Sequence, residues 1–375
     1  MDFKNILEKY IFPSAVFCGG MIGVGFLSLP YIATRAGVLA MVIYFFVVTV
    51  LMLSLNIIFV KISLKTPDFK RFPGFAKYYL GRWGQALASI CIVFGTIGVL
   101  LAYIIVGGEF LTNIFSPIFG GNNFIYTFLY FLTGSVIVFL GIRTIARVET
   151  LVLIGLIVCL VFIFLKNFWH IDLSNILSTG QVMSFKNLFL PFGPLVFSLW
   201  GVALIPEVEE MLIGKKKFLK KIIFGSVIAV AIFYFLFVVL IVGITGSNTT
   251  ESALTGLKNF LGNGSSVAAL FAGTLATFTA FIAQGIVLKK TLMFDLGVKH
   301  WQAFVMATFT PMTLFLMGFK SFISIVSFIG GVLLGIEGIL ILLMYKKIGG
   351  KKVVIYPLLL IFVLGIAYEI FYFSK

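Results

Sequence analysis

Cys18-Gly19-Gly20-Met21-Ile22-Gly23-Val24-Gly25 interrupts the first apolar segment of this chain at its middle. Each of its four glycines weakens a helix by about 1 kcal/mol relative to alanine, so the stretch reads as a helix left unwound. Backbone N–H and C=O groups without helical partners are costly in hydrocarbon and persist only where protein, water or a bound solute satisfies them. A break at the depth of the bilayer centre therefore implies a ligand. Secondary transporters place broken helices at the midplane for this purpose.

Composition sets the surroundings of that break. Hydrophobic residues make up 61% of the 375 and charged residues 11%, against about 25% charged in a soluble domain. This is the composition of an all-α polytopic membrane protein whose standing partner is lipid. The net charge of +15 does not argue for a nucleic-acid partner, because the lysines and arginines fall in short clusters between apolar runs and form no basic face. No small-residue cleavage site follows the first apolar run, so the N-terminus is expected to be retained. Cys18, Cys91 and Cys159 are widely spaced inside apolar segments, which indicates neither a disulfide framework nor a metal cluster.

A spanning helix needs about 20 mostly apolar residues, and on that ruler the sequence predicts about eleven segments. They lie near 12–37, 38–61, 86–112, 123–142, 148–166, 187–212, 220–243, 265–289, 301–318, 321–345 and 353–373. With a cytoplasmic N-terminus, 22 of the 28 lysines and arginines fall on the inside, including the clusters Lys61 to Arg82, Lys215 to Lys221 and Lys346 to Lys352. Arg35, Lys166, Lys186, Lys258, Lys320 and Lys375 remain outside. The positive-inside rule selects this orientation and puts the C-terminus outside. The inner membrane of a prokaryote is the expected location.

The sixth segment repeats the oddity of the first. Pro191 to Pro206 has Gly201 and Pro206 where a plain span would have helix formers. Two interrupted helices five segments apart run in opposite directions, so the halves are expected to form an inverted repeat, 12–166 and 187–347, with 353–373 an extra helix. A solute site then falls at the pseudo-two-fold axis. Gly98, Gly107 and Gly108 in segment three, and Gly330, Gly331, Gly335 and Gly338 in segment ten, read first as close-packing positions.

The broken helices supply complementary ends. From Val24 the second half of segment one opens with free N–H groups and a positive dipole end, which suit a carboxylate; Ile22, Gly23, Val24 and Gly25 are the candidate contacts. In segment six the carbonyls freed near Phe197 and Ser198 suit an ammonium group, with Trp200 and Gly201 flanking them. A zwitterion fits both. A single break of this kind is equally consistent with a glycine-mediated helix crossing that holds no ligand, and it is the pair that favours a site.

Gly23-Val24-Gly25-Phe26-Leu27-Ser28-Leu29-Pro30 resembles the G-x-G-x-x-x-L-P signature of the first helix of the amino acid/auxin permease family, within the amino acid–polyamine–organocation superfamily. Phe197-Ser198-Leu199-Trp200-Gly201 through Pro206-Glu207-Val208-Glu209 is similar to that family's sixth helix. Ala276-Thr277-Phe278-Thr279-Ala280-Phe281, followed by Asp295, is similar to its eighth. The resemblance covers residues 10 to 350. It implies the five-plus-five inverted-repeat fold named after the bacterial leucine transporter, amino acid uptake driven by an ion gradient, and no cofactor beyond the coupling ion. It also implies that Tyr103 faces the broken helices. In sodium-coupled members of that fold, first-helix carbonyls face adjacent hydroxyls of the eighth. The matching positions are Gly19 and Ile22 with Thr279, where Ala280 replaces the second hydroxyl and Thr277 is the only substitute.

Proton coupling needs a titratable group instead. Glu109 in segment three and Glu337 in segment ten are the acids expected within the membrane, where an unpaired charge is expensive and an ionisable residue is a functional candidate. Glu109 is the expected ion-coupling residue, and an outer-vestibule carboxylate is the alternative for it. Glu207, Glu209 and Glu210 read as partners of the Lys215 to Lys221 cluster at the inner end of segment six. A membrane enzyme would need clustered catalytic groups, and His170-Ile171-Asp172 is the one suggestive cluster. A channel would show a polar stripe through several segments. The expected function is therefore import of a neutral, apolar or aromatic amino acid by alternating access, with protons as the coupling ion and sodium as the alternative.

Overall fold

A computed structural model describes residues 10–67, 70–141, 145–167, 171–178, 189–212, 216–260, 263–294 and 296–373. Every element among the described residues is helical. The chain opens with α1 (Phe12–Met21), a 3₁₀ turn (Val24–Ser28) and α2 (Leu29–Ala36), followed by α3 (Val38–Lys65), α4 (Phe72–Leu80), α5 (Arg82–Phe119), α6 (Asn123–Leu140), α7 (Ile145–Asn167) and α8 (Leu173–Ser178). The second half runs through α9 (Phe192–Ser198), a 3₁₀ turn (Val202–Leu204), α10 (Ile205–Met211), α11 (Leu219–Thr245), α12 (Asn263–Phe294), α13 (His300–Leu316), α14 (Phe322–Phe328), a π turn (Ile329–Leu333), α15 (Leu334–Lys347) and α16 (Lys352–Phe373).

All eleven predicted segments fall on helices. Eight helices among the described residues are long and apolar enough to cross a membrane, or nine when the bent pair at the N-terminus counts as one span. The protein is an integral membrane protein. Two elements escaped the hydropathy ruler because they are short: α4, which begins with Pro73 in its first turn, and α8.

Packing is set by where side chains are missing. A Cβ on Gly107 would strike the Tyr130 ring, and one on Gly108 would strike Thr127, so α5 and α6 touch backbone to side chain. Gly335 and Gly338 of α15 give the same room to Ile366 and Phe362 of α16. Without a hydrophobic drive between helices in lipid, such small-residue contacts are what hold neighbours together. Large apolar side chains such as Leu39, Phe46 and Phe119 are mostly exposed. In a bilayer that exposure faces hydrocarbon.

Candidate substrate site

The first break falls within the glycine cluster. Helix α1 ends at Met21; Ile22 (φ −78°, ψ 80°) and Gly23 (φ −105°, ψ −156°) leave the helical path. The chain then bends by 49°. The Ile22 N–H donates to the Cys18 carbonyl and the Gly23 N–H to the Met21 carbonyl, each at 2.9 Å. The N–H groups that open the following turn, from Val24 onward, are those a new helix leaves without intrahelical partners. Pro30 sits in the first turn of α2, where its missing N–H costs nothing. The second break follows the same plan: α9 stops at Ser198, Leu199 to Gly201 are non-helical, and Pro206 opens α10.

The two breaks pack against each other through glycines. A Cβ on Gly20 would lie 2.6 Å from Leu204, one on Gly25 would meet the Phe197 ring and lie 2.8 Å from the Ser198 hydroxyl, and one on Gly201 would meet Phe17. Tyr234 of α11 ties the crossing together. Its hydroxyl donates to the Met21 carbonyl at 2.9 Å and is also directed at the Ser198 carbonyl, 3.2 Å away. Phe26 stacks on the Tyr234 ring, with centroids 5.5 Å apart and planes 3° from parallel. One buried phenol thus bridges the two breaks, donating to the Met21 carbonyl, which also accepts from the Gly23 N–H, and lying within reach of the Ser198 carbonyl.

A small cavity lies against the first break. Gly19, Ile22, Gly23 and Val24 wall it from the broken helix, Tyr103 from α5, Leu156 from α7, and Gly273, Ala276, Thr277, Thr279 and Ala280 from α12. A Cβ on Gly23 would lie 3.1 Å from the Tyr103 hydroxyl. The space open to the centre of a water-sized sphere is about 30 Å³, room for about two waters. An amino acid enters only if these walls move. Thr277 donates its hydroxyl proton to the Gly273 and Thr274 carbonyls at 3.0 Å. Thr279 donates to Leu275 at 3.0 Å and Ala276 at 3.1 Å. Such bonds into the preceding turn are the usual habit of threonine in membrane helices.

Polar contacts close both ends of the bundle. At the lysine-rich face the buried Glu209 of α10 accepts hydrogen bonds from Ser63 of α3 and, at 2.7 Å, from Lys216. At the opposite face Glu109 accepts from Ser252 and Thr255, both at 3.0 Å, which pins the loop between α11 and α12 to α5. Burial pushes the nearby Glu251 carboxyl up, opposed by the Ile323 N–H and the Arg35 charge.

The structure therefore brings Gly19, Ile22, Gly23, Val24, Tyr103, Thr277 and Thr279 to one cavity. Gly25, Phe197, Ser198, Trp200 and Gly201 are not among its walls. They belong to the second break and the crossing, where the Ser198 carbonyl faces Tyr234 and the Phe197 carbonyl accepts from Trp200 N–H at 3.4 Å. Thr277 and Thr279 border the same space. Glu109 stands on α5 six residues beyond Tyr103, at the loop hydroxyls, and is not among the cavity walls. Glu337 is buried on α15 within electrostatic reach of Cys91. His170 and Asp295 lie outside the described residues. Sequence reading missed Tyr234; the available signal was a lone hydroxyl in the apolar run Ile232 to Leu240, since a buried tyrosine hydroxyl usually finds a partner.

Two broken helices crossing beside a glycine-walled cavity, inside an all-helical membrane bundle, define a permease of the leucine-transporter fold. Solved structures agree in fold. MhsT in complex with L-phenylalanine superposes with a TM-score of 0.67 over 96% of this chain and 97% of its own, at 13% identity. Mhp1, a nucleobase-cation-symport-1 family transporter captured closed with bromovinylhydantoin bound, gives 0.60 over 88% and 76%, at 15% identity. Within that class the chain belongs to the tryptophan/tyrosine permease family, whose family model matches residues 8–366. The tyrosine-specific transport system 1 of Haemophilus influenzae is 23% identical over 300 residues, 76% of this chain and 73% of that protein. The motifs had pointed to the amino acid/auxin permease family; what the two readings share is a permease of this fold.

Proposed function

We propose that this protein is a secondary active importer of aromatic amino acids, with tyrosine and tryptophan as its substrates, working by alternating access. The observation that carries this reading is the cavity walled by the unwound Ile22 to Val24 stretch and by Tyr103. Free N–H groups there suit a substrate carboxylate, and the family and the H. influenzae relative point to an aromatic side chain. The repeat is read as 12–166 and 187–347, with 353–373 outside it. The lysine-rich face is placed in the cytoplasm of a prokaryote, so the N-terminus is inside and the C-terminus outside.

Protons are the proposed coupling ion. A sodium site between the first and eighth helices lacks a second adjacent hydroxyl because Ala280 follows Thr279. Glu109, clipped to loop hydroxyls at the outer end of α5, is a carboxyl that can change charge as that loop opens. In proteoliposomes, L-tyrosine should accumulate under an imposed inward pH gradient in sodium-free buffer, and Glu109→Gln should slow that accumulation. Accumulation that requires sodium at constant pH and survives Glu109→Gln would overturn the coupling, and absence of any aromatic amino acid uptake would overturn the function.

A further inference from the structure

A second buried acid, in the C-terminal helix, sits against the first half of the second broken helix. Glu369 of α16 is 1% exposed, and its Oε1 is buried without a hydrogen-bond partner. It stands four residues after Gly365, so both face one side of the helix, and that side meets the N-terminal half of the second broken helix. A Cβ on Gly365 would meet Phe192 of α9. One on Gly193 would lie 2.6 Å from Glu369 Oε1 and 2.5 Å from the Ser327 carbonyl, and one on Gly331 would strike the Glu369 side chain. The carboxyl is thus wedged between α9 and the π turn at Ile329–Leu333, in a niche that exists because Gly193 and Gly331 lack side chains. The Ser327 hydroxyl beside this niche is also buried and unpartnered.

Among the described residues, no cation faces the niche. The π turn and α9 carry no titratable side chain. Helix α15 contributes Glu337, which lies toward Cys91 of α5. Tyr368, next to Glu369 on α16, is a phenol within electrostatic reach of it, and Tyr372 and Tyr44 of α3 lie in turn within reach of Tyr368. A carboxylate without a counter-ion is costly at such a position, whereas a protonated carboxyl gains a donor for the nearby carbonyl. π turns inside helices are frequent at functional sites, and α9 is the arm that leads to the break at Leu199 to Gly201.

Resting on the transporter reading above, we propose that the Glu369 carboxyl is a proton-binding site, and that its protonation lets α9 seat against the π turn and α16 to close the outer half of the protein. With the outside water in contact, the carboxylate holds α9 away; once it takes a proton, the niche can close and the substrate is occluded.

Two measurements test this. In proteoliposomes with equal pH on both sides, tyrosine exchange by the wild type should fall at least about tenfold per pH unit well above its midpoint, since Glu369 titrates in addition to Glu109. Glu369→Gln, a neutral isostere, should keep the low-pH rate and fall less steeply, with only the Glu109-dependent part of the profile left, while Glu369→Asp should retain the full pH dependence. A Glu369→Gln profile that superimposes on the wild type, or a Glu369→Gln protein that fails to fold, would overturn the proposal, since a neutral group belongs in the closed niche. Infrared spectroscopy of the purified protein at neutral pH decides the matter without any transport: the C=O stretch of a protonated carboxyl should be present in the wild type and lost in Glu369→Gln. Absence of that band difference overturns the proton site. Its presence in a protein that exchanges no tyrosine would leave the site standing and count against the transporter reading.

Discussion

Tyr234 does for the crossing what no regular hydrogen bond can. Unwinding two helices frees carbonyls in a region without water, and each needs a donor. A phenol reaching in from α11 donates to Met21 and reaches Ser198, and Phe26, itself packed edge-on against Phe237, stacks on its ring. Tyr234→Phe keeps the ring contacts and removes only the hydroxyl. The variant should lose about 1–3 kcal/mol of stability, the usual cost of an orphaned buried polar group. A lower melting temperature in detergent, with near-wild-type expression, is the expected outcome. An unchanged melting temperature would mean that the two carbonyls find other donors.

At the scale of elements, the π turn at Ile329–Leu333 lets α14 and α15 pass close to α9. A Cβ on Gly330 would strike the Gly193 carbonyl, backbone against backbone. Gly330→Ala should therefore cost about 1–3 kcal/mol through overpacking, read by thermal unfolding, whereas Gly264→Ala, with open space around it, should be close to neutral. Both breaks were legible in the sequence because glycine clusters and the restart prolines Pro30 and Pro206 are local signals. Gly330 and Gly331 were likewise visible as packing positions. The cavity wall was legible only in part: Gly19, Ile22, Gly23 and Val24 came from the break itself, and Tyr103, Thr277 and Thr279 from the resemblance. Which residues cross and which face the cavity was not, because Gly23 and Gly25 differ only in what lies opposite, Tyr103 for one and Phe197 with Ser198 for the other. Tyr234 and Glu369 were hidden for the same reason. Each is a lone polar residue in an apolar segment, and its meaning depends on partners from other helices.

As a whole the molecule is closed at both faces, by Glu209 with Ser63 and Lys216 at one and by Glu109 with Ser252 and Thr255 at the other. The small cavity lies between them, and the orientation proposed above puts the lysine-rich face inside. In cells expressing single-cysteine variants, a cysteine at Lys217 should be shielded from an impermeant thiol reagent and one at Lys320 should label. The reverse pattern would invert the orientation and the direction in which Glu109 meets protons. The substrate site itself rests on the unwound stretch beside Tyr103. Gly23 borders the cavity, with only the Tyr103 hydroxyl close to its missing side chain. The decisive measurement is equilibrium binding of radiolabelled L-tyrosine and L-tryptophan to purified wild type and Gly23→Val, with thermal unfolding as the control for folding. The wild type should bind at least one of the two, and a folded Gly23→Val should bind neither. Wild-type affinity in a folded Gly23→Val protein would contradict a substrate site at this break.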